Sequence, residues 1–456
     1  MQGSLPPLEI VLLAAGQGQR MASSRPKVLH ALAGRPLLAH VLETARSVHP
    51  RAIHVVYGHS GELVRAAFAT ESVNWVLQAQ RRGTGDALAQ ALPVIAADAR
   101  VLVLLGDVPL LTPGTVQALL DTAPDRLTLL TFLAESPNQY GRIVRDAGGL
   151  VARIVEWRDA TPEERDLREV NSGILVAPAA DLKRWVPRLT ADNAQGELYL
   201  TDIVALARAE GAPVAAIHPL DPAEVDGVNA RTDLARLERI YQRRAAHRLL
   251  DAGVQLSDPS RFDLRGTLDA GRDVVIDINC VIEGHVHLGD RVCVGPGCLI
   301  RNSTIGADTR IEAYSVIDGA DIGHHAAIGP FARVRPQTRL GPNTRVGNFV
   351  EAKACVMGEG SKANHLSYLG DSDIGAHVNI GAGVITCNYD GVHKHRTVIG
   401  DHAFVGSDTQ LVAPVKVGAG ATIGAGSTIT KDAPDGELTL SRSSQKTVAG
   451  WRRPEK

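Results

Sequence analysis

Along the C-terminal half of the chain an aliphatic residue returns at every sixth position. The series runs Ile282, Leu288, Val294, Ile300, then Ile322, Ile328, Val334, Leu340, Val346, and finally Ile399, Val405, Leu411, Val417, Ile423 and Ile429. A strand repeats every two residues and a helix every 3.6, so neither element alone keeps this phase. A coil of three short flats does, with one inward aliphatic per flat, and such hexapeptide runs are a signature of the parallel β-helix. Small residues behind the aliphatics, as in "IGPFAR", "VGAGAT" and "IGAGST", suit tight corners. Glycine at 45 of 456 residues and aromatics at 4% agree with a repeat built from aliphatic layers. Between about residues 265 and 431 the pattern predicts roughly nine coils, a prism some 40 to 45 Å long at about 4.8 Å per coil.

The phase lapses for about two dozen residues around Gly358 to Gly375, "GEGSKANHLSYLGDSDIG". A regular prism offers flat faces of small and aliphatic side chains. The lapse holds His365 and Tyr368 and follows Lys353, so we expect the coil to open there and build a site.

Residues 1 to about 230 read differently. The apolar runs "IVLLAAG", "AIHVVYG", "VNWVLQ" and "RVLVLLGD" alternate with the amphipathic stretches "PLLAHVLETARSV", "GELVRAAFA" and "DALAQALPVIAA". This alternation predicts an α/β domain with a doubly wound, mostly parallel sheet, whose ligands sit at the carboxyl ends of its strands. The stretch 232–252, rich in arginine with Leu234, Leu237, Tyr241 and Ala245 at helical spacing, predicts a solvated connecting helix. The expected layout is a first domain at 1–231, a linker helix at 232–252 and a second domain at 253–456.

Several function classes fall away on charge and composition. With 48 basic and 50 acidic residues the formal net charge is -2, which asks for neither nucleic acid nor an anionic membrane. No apolar run reaches the length of a membrane span, and "EIVLLAAG" near the N-terminus reads as a buried strand rather than a signal peptide. Five cysteines, Cys280, Cys293, Cys298, Cys355 and Cys387, form no C-x-x-C pair, so a reduced, cytoplasmic setting is expected.

Chemistry enters at "LLAAGQGQRM" and "RPKVLH". A strand ends at Leu13, Gly16 and Gly18 free the backbone to approach a ligand, and Arg20 and Lys27 add two cations, the combination a polyphosphate needs. Met21 stands where a dinucleotide fingerprint has its third glycine, and the Gly-Lys-Ser/Thr of a P-loop is missing. Gln78 can donate and accept at once, which suits the imide edge of uracil, and Gly83 and Thr84 stand beside it. Asp107 ends a very apolar strand, where a carboxylate can hold a hard cation such as Mg²⁺.

The motifs "LAAGQGQRM", "PKVLH", "QRRGTGDA", "GDVPL", "YGRI", "EVNSGI" and "GVNAR", in this order ahead of a hexapeptide domain, resemble the bifunctional N-acetylglucosamine-1-phosphate uridylyltransferase and glucosamine-1-phosphate acetyltransferase family over nearly the whole chain. The resemblance implies that Leu13, Ala14, Ala15, Gly16, Gln78, Gly83 and Thr84 hold UTP. Arg20 and Lys27 would meet its phosphates and serve catalysis. Leu105, Gly106 and Asp107 would line the same site, Gly141, Glu156 and Asn171 would hold the acetylglucosamine, and Asp107 with Asn229 would bind Mg²⁺. One position departs: the family reads Tyr-Gly-Asp where this chain has Leu105-Gly106-Asp107. A backbone contact there carries over, and one made by the ring does not.

In the second half the resemblance matches His365 to the base of acetyl transfer, a role suited to the side chain whose unperturbed pKa lies near neutrality. Arg335, Lys353, Tyr368 and Asn379 match the anchors of glucosamine-1-phosphate. Ala382, Asn388, Tyr389, Ser407, Ala425 and Arg442 match the acetyl-coenzyme A site. The family further implies a cytoplasmic homotrimer with acetyl-coenzyme A between neighbouring β-helices, and a product that feeds peptidoglycan and lipopolysaccharide. Three rivals remain: a sugar nucleotidyltransferase whose β-helix only oligomerises, a zinc lyase using His393 and His395, and a non-catalytic scaffold. The first lacks a use for His365, Arg335, Lys353 and "CNYDG", and the second leaves the N-terminal half unexplained.

Overall fold

The computed structural model describes residues 6–16, 18–58, 61–135 and 138–454. The chain divides into two compact units, Met1–Tyr241 and Gln242–Lys456.

The first unit is built on a nine-stranded sheet. Its strands are β1 (Leu8–Leu13), β2 (Ala52–Tyr57), β3 (Asn74–Leu77), β4 (Arg100–Leu105), β5 (Thr128–Leu133), β6 (Arg142–Arg145), β7 (Val151–Val155), β8 (Glu169–Pro178) and β9 (Ala215–Ile217). The main path runs β9-β5-β8-β4-β1-β2-β3, with β6 on β8 and β7 on β6. The pairs β1–β2, β1–β4, β2–β3 and β5–β9 are parallel, while β8 is antiparallel to both of its main neighbours. The sheet is therefore mixed and mostly parallel.

Helices α1 (Leu37–Ser47), α2 (Thr84–Ala91), α3 (Pro113–Thr122) and α4 (Ile203–Ala209) cover its faces. Successive residues of a strand point to opposite faces. Ile10, Leu12, Leu102 and Leu104 accordingly pack with Leu38, Val41, Val116 and Leu119 in one layer, and Val11, Val101 and Val103 with Leu88, Ile203 and Val204 in the other. Burial on both faces is why these strands read as unbroken apolar runs.

At β1 the strand order reverses, with β2 on one side and β4 on the other, and Leu13 is in register with Leu105. The loops after β1 and β4 thus leave the sheet side by side, where a crevice forms.

A buried carboxylate closes the β1–β2 pair: Glu9, 3% exposed, meets His54 Nε2 at 2.9 Å through Oε2 and the more exposed Arg51 Nε at 3.1 Å through Oε1. Burial alone would raise the Glu9 carboxyl, but the hydrogen bonds from Arg51 and His54 outweigh it and hold it below the usual carboxylate value. A carboxyl depressed by folding contributes stability above its unfolded pKa and loses it as pH falls. Glu9→Gln is expected to destabilise the first unit by about 2 kcal/mol at pH 7, the scale of hydrogen bonds to a charged group, because the Arg51 left behind is 43% exposed. Urea melts of variant and wild type should converge as the pH drops below about 4.5, the unfolded value.

Helix α5 (Arg231–Asp251) spans the boundary between the units. It is not solvated all round: Leu237 is fully buried in a cluster with Met21, Leu32, Leu37, Leu110 and Val228, and Leu234, Ile240 and Tyr241 pack against it.

The second unit is a parallel β-helix. One of its faces stacks eleven two- to four-residue strands, from Gln255–Leu256 to Leu438–Thr439, all in parallel. The pile is longer than the nine coils expected, about 48 Å for ten spacings, because it begins before the first clean repeat and ends after the last.

The lapse at Gly358–Gly375 is not an opening. Its strands Lys362–His365, Tyr368–Gly370 and Ser372–Ile374 pair with the coils before and after. The inward column continues through Ala352, Met357, Ala363, Leu369, Ile374 and Ile380, all buried. Alanines in place of aliphatics and two five-residue steps, 352 to 357 and 369 to 374, hide the repeat. The chain leaves the coil elsewhere, between strands Ile385–Cys387 and Thr397–Ile399, where Tyr389 and Lys394 bridge a short antiparallel excursion.

Candidate functional site

Each unit gathers its own set of the expected residues. In the first unit they line connected cavities at the carboxyl ends of β1 and β4. One, of about 320 Å³, is bounded by Leu13, Ala14, Ala15, Gly16, Lys27, Gln78, Gly83, Thr84, Leu105 and Asp107. A second, of about 590 Å³, is bounded by Arg20, Lys27, Glu156 and Asn229 together with Gln139, Trp157, Arg158 and Gln195. Lys27 lines both. Gly106 lies beneath the first, its amide donating to Leu13 O at 3.0 Å, and a Cβ there would come within 3.2 Å of Ala14 Cβ.

Gln78 is buried, and its Nε2 donates to Gly83 O (3.1 Å) and Asp86 Oδ2 (2.8 Å). Its donors are committed within the protein, which corrects the expectation of an amide that both gives and accepts. A ligand N–H is left with the carbonyl oxygen. Gly83 turns the chain into α2 with φ 108°, and a Cβ on it would stand 2.5 Å from Leu198 O. Few side chains tolerate that conformation, and none fits the space.

The cation reading has a geometric basis. The Lys27 ammonium lies against Asp107 Oδ2 and 3.3 Å from Asn229 Oδ1, so both oxygens face one point where a positive charge is already held. Deeper in the cleft Gly141, Glu156 and Asn171 stand together. Asn171 N donates to Gly141 O at 2.9 Å, and a Cβ on Gly141 would lie 3.4 Å from either Glu156 oxygen. Burial pushes the Glu156 carboxyl up, and the Thr201 hydroxyl donating to Oε1 at 3.0 Å counters that only in part.

In the second unit His365 is exposed at the end of its strand, in register with Asn348 of the preceding coil. Its Nδ1 meets Asn348 Oδ1 at 2.7 Å. A carbonyl oxygen only accepts, so Nδ1 carries a proton, and in the neutral ring Nε2 then keeps the lone pair a base requires. In the same unit Arg335 Nη1 donates to Glu351 Oε1 (2.7 Å), and Lys353 Nζ contacts both Asp371 oxygens (3.2 and 3.1 Å). Asn388 Nδ2 reaches the same Asp371 carboxylate. Gly370 leaves space for the Tyr368 hydroxyl to fold over it, since a Cβ there would lie 2.4 Å from that oxygen.

Ala382, Ser407 and Ala425 stack on successive coils: Asp408 N donates to Ala382 O (2.7 Å), and Gly426 N to Ser407 O (2.8 Å). Arg442 Nη1 donates to Ala425 O at 2.9 Å, closing the column. Asn379 pairs with Lys362 in the coil after His365, and Tyr389 sits exposed on the excursion. His395 meets Asp390 at 2.7 Å, and with the backbone amides of His393 and Val392 it holds that carboxyl down at about 2.

The patterns of three families match. The MobA-like NTP transferase domain covers residues 10–254, the GMPPB C-terminal domain 265–338, and the bacterial transferase hexapeptide (six repeats) 396–431. The "Bifunctional protein GlmU" of Alkalilimnicola ehrlichii is 56% identical over 447 residues, spanning 98% of this chain and 96% of that protein. The "Bifunctional protein GlmU" of Marinobacter nauticus is 55% identical over 451 residues, spanning 99% of each. The chain belongs to the GlmU family. It is a bifunctional enzyme, a nucleotidyltransferase joined to a left-handed β-helix acetyltransferase of hexapeptide repeats, acting in UDP-N-acetylglucosamine synthesis.

Within this GlmU chain, sequence reasoning missed several residues that shape the sites. Asp86 and Thr201 fix Gln78 and Glu156, yet they read only as polar residues at helix starts. Asn348 and Asp371 act across coils, and spacings of 17 and 18 residues to His365 and Lys353 are the signal that finds them. Lys394 was also passed over. The Lys353 ammonium beside it pushes it below the usual lysine range, and such facing cations suit a phosphate.

Proposed function

We propose that the two activities divide between the two sites, with 1–231 transferring uridylyl from UTP to N-acetylglucosamine-1-phosphate, 232–252 connecting, and 253–456 acetylating glucosamine-1-phosphate from acetyl-coenzyme A. The observation that carries this is the separate gathering of a cation-bearing cleft around Lys27, Asp107 and Asn229 and an exposed histidine, His365, backed by an acceptor.

In the first site the sugar phosphate is itself an anionic nucleophile, so attack on the α-phosphorus needs alignment and charge neutralisation rather than a base. Arg20 and Lys27 supply positive charge, the Ala14–Gly16 loop approaches the nucleotide, Gln78 accepts from uracil, and Glu156 with Asn171 orients the sugar. Asp107 and Asn229 would hold Mg²⁺, a hard ion suited to two protein oxygens with its other positions left to phosphates and water. Bound there, it neutralises developing charge on phosphate oxygens.

In the second site His365 Nε2 takes the proton of the sugar amine as the nitrogen bonds to the thioester carbonyl carbon; the C–S bond breaks and the proton leaves with the coenzyme A thiolate, while Arg335, Lys353, Tyr368 and Asn379 anchor the sugar phosphate, with Lys394 beside them. Ala382, Asn388, Tyr389, Ser407, Ala425 and Arg442 form the coenzyme surface. The family further supports a homotrimer, a cytoplasmic setting and a role in supplying peptidoglycan and lipopolysaccharide synthesis.

The test is an assay of both half-reactions on the full chain: pyrophosphate release from UTP and N-acetylglucosamine-1-phosphate, and thiol release from acetyl-coenzyme A and glucosamine-1-phosphate. Absence of either from folded protein refutes the two-site reading. Gly83→Ala is expected to raise the KM for UTP about tenfold or more, a loss of about 1.4 kcal/mol or more in binding. Acetyl transfer should keep its rate, and steady-state kinetics of both reactions check this.

A further inference from the structure

We propose that a third cavity of the first unit, on the far side of the Ala14–Gly16 loop, seats the terminal phosphates of UTP and then the departing pyrophosphate, with Arg25 and Arg81 as its cations. This rests on the uridylyltransferase reading above.

The cavity has a volume of about 320 Å³ and shares Ala14, Ala15, Gly16 and Arg81 with the nucleotide cavity, so these residues stand between the two. Its other walls come from the segment 23–26 ahead of Lys27 and from the chain after β2, Gly58 and Gly61 among it. Arg81 reaches over both loops: a Cβ on Gly58 would lie 3.0 Å from Ala15 O and 3.4 Å from Arg81 Nε. A Cβ on Gly16 would meet nothing within 4 Å, so the backbone there is bare to an anion that passes the loop. Ser23 and Ser24 complete the wall, with Ser23 Oγ accepting from Arg25 N at 3.1 Å.

Its charge sets it apart. The two cavities already described each hold a carboxylate, Asp107 in one and Glu156 in the other. This one has none among its lining residues, and neither guanidinium has an ion-pair partner among the described residues. Uridylyl transfer needs such a place. As the sugar phosphate oxygen bonds to the α-phosphorus, the α–β bridging P–O bond breaks and its electron pair leaves on the pyrophosphate oxygen, so negative charge grows on the leaving group. Lys27 is opposed by Asp107, which leaves Arg20 alone against an anion of several charges. Two planar guanidiniums, each able to hold a phosphate through paired N–H donors, make up the difference.

The experiment runs the full chain in both directions, from UTP with N-acetylglucosamine-1-phosphate and from UDP-N-acetylglucosamine with inorganic pyrophosphate. In Arg25→Ala and in Arg81→Ala the KM for pyrophosphate is expected to rise about tenfold or more, the scale of a lost charge-assisted hydrogen bond, while the KM for UDP-N-acetylglucosamine, which lacks the departing phosphates, stays within about twofold. Arg25→Lys and Arg81→Lys keep the charge and should rise less. Inorganic tripolyphosphate, added with Mg²⁺ in excess, should inhibit the wild-type forward reaction competitively against UTP and more weakly in the alanine variants. A KM does not depend on the folded fraction, so partial unfolding does not imitate these results. An unchanged pyrophosphate KM in either alanine variant, or a parallel rise of both KM values, overturns the seat. So does tripolyphosphate inhibition that excess UTP fails to relieve, which would put the anion at a site apart from the nucleotide. Absence of wild-type turnover in both directions would instead overturn the uridylyltransferase reading beneath it.

Discussion

Replacing His365 by alanine is expected to lower acetyl transfer by about 10³-fold, within the range a positioned general base supplies, while uridylyl transfer stays at its wild-type rate. An amine attacking a thioester must lose a proton, and the groups around the proposed sugar anchor are poor acceptors. Lys353 is tied to Asp371, and Arg335 is tied to Glu351. His365 alone among them presents a free ring nitrogen, because Nδ1–H donates to Asn348 Oδ1 and leaves Nε2 open. His365→Gln should be as inactive as alanine, since an amide cannot take the proton. Asn348→Ala, which frees the tautomer without removing the base, should cost less, about tenfold, as partners that orient a catalytic imidazole commonly do. Thiol release and pyrophosphate release measured on the same preparation decide the matter. A parallel fall of both activities in protein of unchanged circular dichroism would refute the assignment.

How far these sites could be read from the chain depends on what carries them. The inward aliphatics of the β-helix are legible because a period of six belongs to no single element, and the ends of β1 and β4 are legible because unbroken apolar runs stop at Gly16 and at Gly106-Asp107. The antiparallel course of β8 is not, since "EVNSGILVAP" is apolar in the same manner as its parallel neighbours. The stretch around His365 looks like a lapse for a physical reason: Ala352 and Ala363 fill interior positions without the bulk that marks the repeat, and two shortened flats shift its phase. The real departure, from Asn388 to Arg396, is polar, but it falls in the same gap of the series between Val346 and Ile399 and so does not stand out from the lapse before it. Partners such as Asp86, Asn348 and Asp371 are set by side-chain direction between strands far apart in sequence, which no linear pattern encodes. Gln78 shows the same limit, because its donors are spent on Gly83 and Asp86.

The converse result is expected from Asp107→Ala, which should lower uridylyl transfer by about 10²- to 10³-fold, the scale seen when one preorganised electrostatic group is removed, and leave acetyl transfer intact. Asp107 is part-buried with Lys27 against it and Asn229 facing the same point. Removing the carboxylate leaves the Lys27 ammonium without its counter-ion and takes the negative charge from the proposed Asp107–Asn229 pair. Asp107→Asn keeps shape and one oxygen, so its activity separates charge from packing. If charge is what matters, asparagine behaves like alanine, and Asn229→Ala raises the Mg²⁺ concentration needed for half-maximal pyrophosphate release rather than abolishing it. A chelator added to the wild type should stop uridylyl transfer and spare acetyl transfer, because the His365 chemistry draws only on protein groups. An Asp107→Asn enzyme with wild-type pyrophosphate release would show that Lys27 and Arg20 neutralise the phosphates unaided. Acetyl transfer lost on chelation would place a metal in the β-helix, against the amine-to-imidazole proton transfer argued for His365.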